Sequence, residues 1–129
     1  MHRELVRFSD LDGFGHVNNA VFLTYLEQAR LAWFEQAENG EPDEGEEIPL
    51  RDVILARTEI DFRSPVVFGE TVEIGVRPAR LGTKSFELEY ELRTGGRLVA
   101  EARSVLAGYD YDGRRSVEVS ERWKRRLAR

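Results

Sequence analysis

The chain contains no cysteine. That excludes a disulfide framework, a thiol nucleophile and any cysteine-based metal site, and it fits a reducing compartment. Histidine is scarce: His2 and His16 are the only two, and neither has a second ligand at metal spacing. No metal and no cofactor are therefore expected. No serine sits in a G-x-S-x-G elbow, which argues against a serine triad. No apolar run is long enough to span a membrane, and MHRELVRFSD at the N-terminus lacks the apolar core of a signal peptide. A cytoplasmic location with no membrane partner is expected. Positive charge is not in excess either. A net charge of -5 argues against nucleic acid as a partner.

What is present suits a single packed domain over residues 1–129. Hydrophobic residues make up 41% and charged residues 33% of the 129, too apolar for a disordered chain and long enough for one core. The charge is uneven. ENGEPDEGEE, residues 38–47, carries six acids and no base, whereas RWKRRLAR, residues 122–129, carries five bases and no acid. The first reads as a solvated loop. The second reads as the basic end of a short helix, or as a site for phosphates.

Periodicity supplies the elements. Residues 4–8 (ELVRF) can form a first strand. A polar turn follows, in which Asn18 or Asn19 is a natural N-cap. From there to about Ala37, Phe22, Tyr25, Leu26, Ala29, Ala32 and Trp33 share one helical face. Leu23, Leu31 and Phe34 fall outside it. A helix so apolar around its girth is covered by a sheet, a partner chain or both. After Arg51 the pattern alternates at period two. Ile54, Ala56, Thr58, Ile60 and Phe62 fall on one face of residues 53–63. Val72, Ile74 and Val76, then Phe86, Leu88, Tyr90 and Leu92, then Leu98, Ala100 and Ala102 are expected to face inward. Val99, Val105 and Tyr109 fall on the other, partly exposed face. Gly95-Gly96 reads as a tight hairpin, and Ser120 as the cap of a last turn in which Trp123 and Leu127 share a side. The order is strand, long helix, four antiparallel strands: an α+β layer arrangement.

The polar turn, SDLDGFGHVNNAVFLTYLEQAR at residues 9–30, raises the functional question. Asp10-Leu-Asp12-Gly resembles the start of a calcium loop, but Phe14 stands at the third ligand position and Val21 at the bidentate one. D-x-D-G also resembles the aspartyl nucleophile of haloacid-dehalogenase-type phosphatases, which need a larger parallel domain. What remains is a carboxylate beside a helix start. Unpaired N–H groups there can hold the oxyanion of an acyl transfer, and a carboxylate can activate water or attack the carbonyl. Alternatively, the Asp and Asn residues only shape and cap the turn, with Gly13 and Gly15 supplying positive φ.

The same stretch resembles the signature of the hotdog-fold acyl-CoA thioesterases, in the 4-hydroxybenzoyl-CoA thioesterase-like group, roughly D-x-D-x-x-G-H-V-N-N-x-x-Y-x-x-Y-x-E-x-A-R. It matches at Asp10, Asp12, Gly15, His16, Val17, Asn18, Asn19, Tyr25, Glu27, Ala29 and Arg30. It departs at Phe22, where the family usually has Tyr. Downstream, FRSPVVFGE and GTKSF are similar as well. The resemblance implies a hotdog fold, one long helix wrapped by a five-stranded antiparallel sheet, and an acyl-CoA substrate. It implies Asp12 as catalytic carboxylate and the Asn19 backbone N–H as the donor aimed at the thioester carbonyl. His16, Asn18 and Tyr25 are then expected to border the substrate, Glu27 to face the acyl pocket of the neighbouring subunit, and Lys84 and Ser85 to meet the CoA nucleotide. It further implies a homodimer with shared active sites, with a homotetramer left open. Other readings stand beside these: Glu27 and Arg30 pairing along the helix, Tyr25 as core, Lys84 as a solvated strand end. A hotdog protein that binds acyl thioesters without hydrolysis, or acts on acyl-carrier-protein thioesters, and a protein-interaction module using the basic tail, are the alternatives to the enzyme.

Overall fold

The structure, a computed structural model, describes residues 1–35 and 53–127, with the side chains of Arg122 and Arg126 also left aside. The acidic stretch 38–47 and the last two residues of the basic tail lie outside the described residues.

Strand β1 (His2–Leu5) is followed by a 3-10 turn (Phe8–Asp10) and helix α1 (Val21–Glu35). Strands β2 (Val53–Phe62), β3 (Thr71–Leu81), β4 (Ser85–Thr94), β5 (Arg97–Asp110) and the two-residue β6 (Arg115–Ser116) come next, and helix α2 (Glu121–Leu127) closes the described chain. The sheet order is β1-β3-β4-β5-β2, with β6 pairing β5. β1 runs antiparallel to β3, with His2 opposite Ile74 and Leu5 opposite Thr71. β6 is an addition to the five strands expected.

Two compact units are distinguished by their internal packing. The first comprises residues 1–33, 60–76 and 90–102. Here α1 buries Phe22, Tyr25, Leu26 and Ala29, and the strands bury Val72, Ile74, Tyr90, Leu92 and Ala100. These are the inward-facing sets that the two periodicities predict. The Gly95-Gly96 hairpin is realised with φ of 55° and 80°, the left-handed geometry of a two-residue turn that matches strand twist.

The second unit takes residues 34–59, 77–89 and 103–129. Its core forms around Trp123, which is fully buried. The Trp123 indole stacks on Phe86 at 5.3 Å between ring centroids and meets Phe34 edge-on at 4.6 Å. Ser120 caps this helix, its Oγ accepting the Trp123 N–H at 3.4 Å, and Leu127 is buried on the same side. Phe34, which lies off the main apolar face of α1, is thus covered by the chain's own terminal helix. Gly108 lets the chain return close to β5: a Cβ there would lie 2.4 Å from the Val117 carbonyl oxygen.

Two expectations shift. The first strand covers residues 2–5 rather than 4–8, because the chain turns at Phe8, where the N–H groups of Asp10 and Leu11 donate to the carbonyls of Arg7 and Phe8. β2 forms over residues 53–62, but its burial does not alternate as the sequence does: Val53 is buried while Ile54, Ala56 and Phe62 are exposed. Among the described residues it is the last strand in the sheet order, and an edge strand lacks a neighbour on one side.

Candidate active site

Residues 10–18 form a narrow hairpin that delivers the polar turn to the start of α1. The Asn18 N–H donates to the Asp10 carbonyl and the Asp12 N–H to the His16 carbonyl, both at 2.9 Å. Leu11 and Val17 bridge between them. At the tip, Gly15 donates back to the Asp12 carbonyl with φ of +85°. Gly13 does not share that conformation, so only the second glycine meets the expectation of positive φ.

The two aspartates of D-x-D have separate surroundings. Asp10 is buried and accepts from the Arg7 N–H at 3.0 Å, the Arg7 guanidinium at 3.2 Å and the Tyr25 hydroxyl at 2.7 Å. Burial pushes its carboxyl up, but the Arg7 N–H, the Tyr25 hydroxyl and the Arg7 side chain together hold it below the usual carboxylate range. For Tyr25, burial and then the bond to Asp10 raise the phenol well above its ordinary value. Tyr25 is therefore tied to the turn from inside the core, and it is not among the residues lining the cavity below.

This network predicts an acid-sensitive contribution to stability. A hydrogen bond to a buried charged group is worth about 1.5–3 kcal/mol, so Tyr25→Phe is expected to lose about that much at neutral pH. The folded carboxyl of Asp10 is depressed, so its stabilisation is complete above the unfolded value and fades as pH falls through the folded one. Urea unfolding of wild type and Tyr25→Phe at neutral pH and at about pH 2 measures this; an equal gap at both would contradict it.

Asp12 is more accessible, its side chain 23% exposed. Its Oδ1 accepts the Phe14 N–H at 2.8 Å, and its Oδ2 lies 3.5 Å from His16 Nδ1. His16 stacks on Phe14 and borders a cavity of about 250 Å³. Asn19, Phe22, Phe62, Arg63, Ser64 and Val66 also line it, with Val17 and Pro65. Asp12 is not itself a lining residue; its link to the cavity is the contact with His16, which is one. Asn18 caps the helix start, its Oδ1 accepting the Ala20 N–H at 2.9 Å. The backbone N–H of Asn19 has no acceptor among the described residues. Helix starts leave such groups unpaired, with partial positive charge.

None of the remaining sequence candidates is among the lining residues of this cavity. Glu27 is exposed on α1. It makes no ion pair with Arg30 among the described residues; Arg30 turns inward and donates to the Tyr90 hydroxyl at 3.3 Å. Lys84 and Ser85, at the start of β4, belong to the second unit, whereas the cavity is lined by the first. The cavity wall made by residues 62–66 holds none of the site residues named from the sequence, although it falls within the FRSPVVFGE stretch that resembles the family. Its local signal is the Ser64-Pro65 turn after an alternating strand.

The sequence matches the model of the thioesterase-like superfamily over residues 6–127. The chain belongs to that superfamily. Among solved structures, it is similar to a thioesterase from Thermus thermophilus in complex with coenzyme A and Zn. The two are 34% identical, with 98% of this chain and 89% of that one covered and a TM-score of 0.80. A hypothetical protein from the same species, TT1821, is 29% identical, with 98% and 95% covered and a TM-score of 0.79. A 1,4-dihydroxy-2-naphthoyl-CoA thioesterase from Synechocystis shares the fold at 20% identity, with 98% and 93% covered and a TM-score of 0.80. Among curated proteins, YsmA of Bacillus subtilis is 29% identical over 85 residues, which is 66% of this chain and 54% of that protein. The match thus spans about half of that relative's length. The superfamily member has the α+β hotdog fold expected of it, one long helix with an antiparallel sheet. Among the described residues, no group of three or more His, Cys, Asp or Glu side chains is placed to hold a metal ion, and no helix is long and apolar enough to cross a membrane.

Proposed function

We propose that the protein is a thioester hydrolase that converts an acyl-CoA to a free carboxylic acid and CoA. The observation that carries this reading is that Asn19, whose N–H is unpaired among the described residues, and His16, 3.5 Å from the Asp12 carboxylate, line one cavity. A donor and an anionic base beside one another are what an acyl transfer to water requires. Superfamily membership supports the same chemistry.

In this reading the acyl group enters the cavity between Phe22, Phe62 and Val66, and its carbonyl oxygen meets the Asn19 N–H. Asp12 acts in one of two ways. As a base, it takes a proton from water while the water oxygen bonds to the carbonyl carbon. The displaced electron pair sits on the oxygen at Asn19, then returns to break the C–S bond, and the leaving thiolate takes up the proton. As a nucleophile, Asp12 attacks directly, CoA leaves as thiolate and water cleaves the resulting anhydride. His16 borders the cavity and the Asp12 carboxylate in either course. The deciding experiment is thiol release from acetyl-, hexanoyl-, benzoyl- and palmitoyl-CoA, with Asp12→Asn as the control. No release from any of them would remove the reading.

The CoA nucleotide is assigned to Lys84 and Ser85. Lys84 is exposed at the start of β4, where an ammonium group can meet phosphates, and such binding weakens with salt. Lys84→Glu is expected to raise KM for an acyl-CoA several-fold, and to leave KM unchanged for the matching N-acetylcysteamine thioester, which lacks the nucleotide. An equal rise for both would take Lys84 out of the CoA site.

A further inference from the structure

One cavity wall, residues 63–66, belongs to a segment without regular secondary structure, residues 63–69, that is held by hydrogen bonds along its length. At one end, the N–H groups of Arg63 and Ser64 both donate to the Val99 carbonyl, at 2.8 and 3.2 Å. In the middle, the Val66 carbonyl accepts the Val17 N–H at 2.8 Å, and Val67 bridges to His16. His16 in turn accepts the Asp12 N–H at 2.9 Å. The wall and the Asp12 turn are therefore joined by consecutive backbone hydrogen bonds.

One carboxylate closes over this segment. Glu70 accepts the Val67 N–H at 2.9 Å, the Thr94 hydroxyl at 3.3 Å and the Arg97 guanidinium at 3.2 Å. The same Arg97 nitrogen donates to the Pro65 carbonyl at 3.1 Å. Glu70 does not line the cavity, so it has no direct contact to offer a substrate there. We propose that Glu70 is a positioning residue: with Thr94 and Arg97 it fixes residues 65–67, and through Val17 and His16 it fixes the placing of the Asp12 carboxylate. The inference rests on the reading of Asp12 given above, but the mechanical link from Glu70 to the turn does not depend on the reaction.

The alternative is that Glu70 is simply half of a surface ion pair. Partly exposed pairs add little stability, and an ion pair alone does not account for the Val67 N–H bound by Glu70 or the Pro65 carbonyl bound by Arg97. The bond that matters here is the one to the Val67 N–H, which is also what chiefly holds the Glu70 carboxyl below its usual range, with Arg97 and Thr94 adding to it. The carboxylate therefore keeps its charge, and its grip on the segment, to lower pH than an ordinary glutamate would.

Geometry of this kind acts on rate rather than on binding. A small misplacement of a reacting group costs roughly tenfold to a hundredfold in rate. Glu70→Ala is expected to lower kcat for acyl-CoA hydrolysis by about that factor with KM within about twofold of wild type. Combined with Asp12→Asn it should lower kcat no further, because a misplaced carboxylate cannot be lost twice. Amide hydrogen exchange reads the link without any reaction: the Val17 and Asp12 amides should exchange about tenfold faster in Glu70→Ala, while the Leu88 amide in β4 stays as in wild type. Arg97→Met, which spares the Val67 bond, should show a smaller change in both measurements, and it carries the test if Glu70→Ala does not fold. Unchanged kcat and unchanged Val17 exchange in folded variants would overturn the proposal. So would a kcat loss that adds in full to that of Asp12→Asn. If wild type releases no thiol from any acyl-CoA, the proposed function fails, and the exchange data still decide whether Glu70 holds the turn.

Discussion

Asp12→Asn is expected to lower thiol release from acyl-CoA by roughly 10²- to 10⁴-fold, the usual loss when a positioned acid or base is removed, and to leave the protein folded. The second half follows from the local geometry. Asp12 binds the turn through one oxygen, which accepts the Phe14 N–H, and an asparagine side-chain oxygen can accept the same bond. What the substitution removes is the charge. The neighbouring position would not give so clean a result. Asp10 accepts from Arg7 and Tyr25 in a buried setting, so Asp10→Asn disturbs the fold before it informs on chemistry. Rates should be taken per folded protein, with circular dichroism and gel filtration as controls. A wild-type rate in the Asp12 variant would remove the carboxylate from the reaction. Activity lost together with the native spectrum would place Asp12 with Asp10 as a turn residue.

The contrast between Asp10 and Asp12 shows what a sequence can and cannot carry. Both are polar residues before a helix, and spacing alone does not separate them. The side chain of Tyr25, fifteen residues on, does so by burying its hydroxyl against one of them. Local signals are sufficient for α1, for the Gly95-Gly96 turn and for the capped final helix, because each depends on residues within one or two turns of each other. The sheet faces are legible in β4, which has a neighbour on each side. Val99 departs from its pattern: it falls on the face expected to be partly exposed, yet it is fully buried. Its carbonyl receives two successive N–H groups from Arg63 and Ser64, a bulge-like irregularity that period-two reading has no means of seeing. The cavity has the same character. His16 and Asn19 stand in the motif, but Phe62, Arg63 and Ser64 come from more than forty residues away and join them only through pairing.

Dilution to concentrations at which subunits separate is expected to abolish activity, because the protein is proposed to work as a homodimer with shared sites. The breadth of the apolar helix surface first points this way, and the structure narrows it. Phe34 is covered by Trp123, whereas Leu23 on α1 is exposed. β2 gives the stronger reason. Among the described residues it ends the sheet order and leaves Ile54, Leu55 and Phe62 exposed, so there it combines open hydrogen-bonding groups with apolar side chains. Such an edge pairs with another chain unless it is blocked. Phe62 links that edge to function, since it is 44% exposed and also lines the cavity. In the first unit, Phe8 and Phe68 meet edge to face at 6.2 Å while remaining 79% and 61% exposed. Exposed aromatic pairs of this kind are characteristic of surfaces that meet a partner. A second copy seated along β2 would remove the edge, cover Phe62 and complete the cavity. Leu55 does not line the cavity, so Leu55→Glu charges the strand without altering a lining residue. It should yield a folded monomer with little or no thiol release. Sedimentation velocity at the assay concentration, run beside the assay, settles the point: a fully active monomer, whether obtained by dilution or by Leu55→Glu, would defeat both the dimer and the shared site.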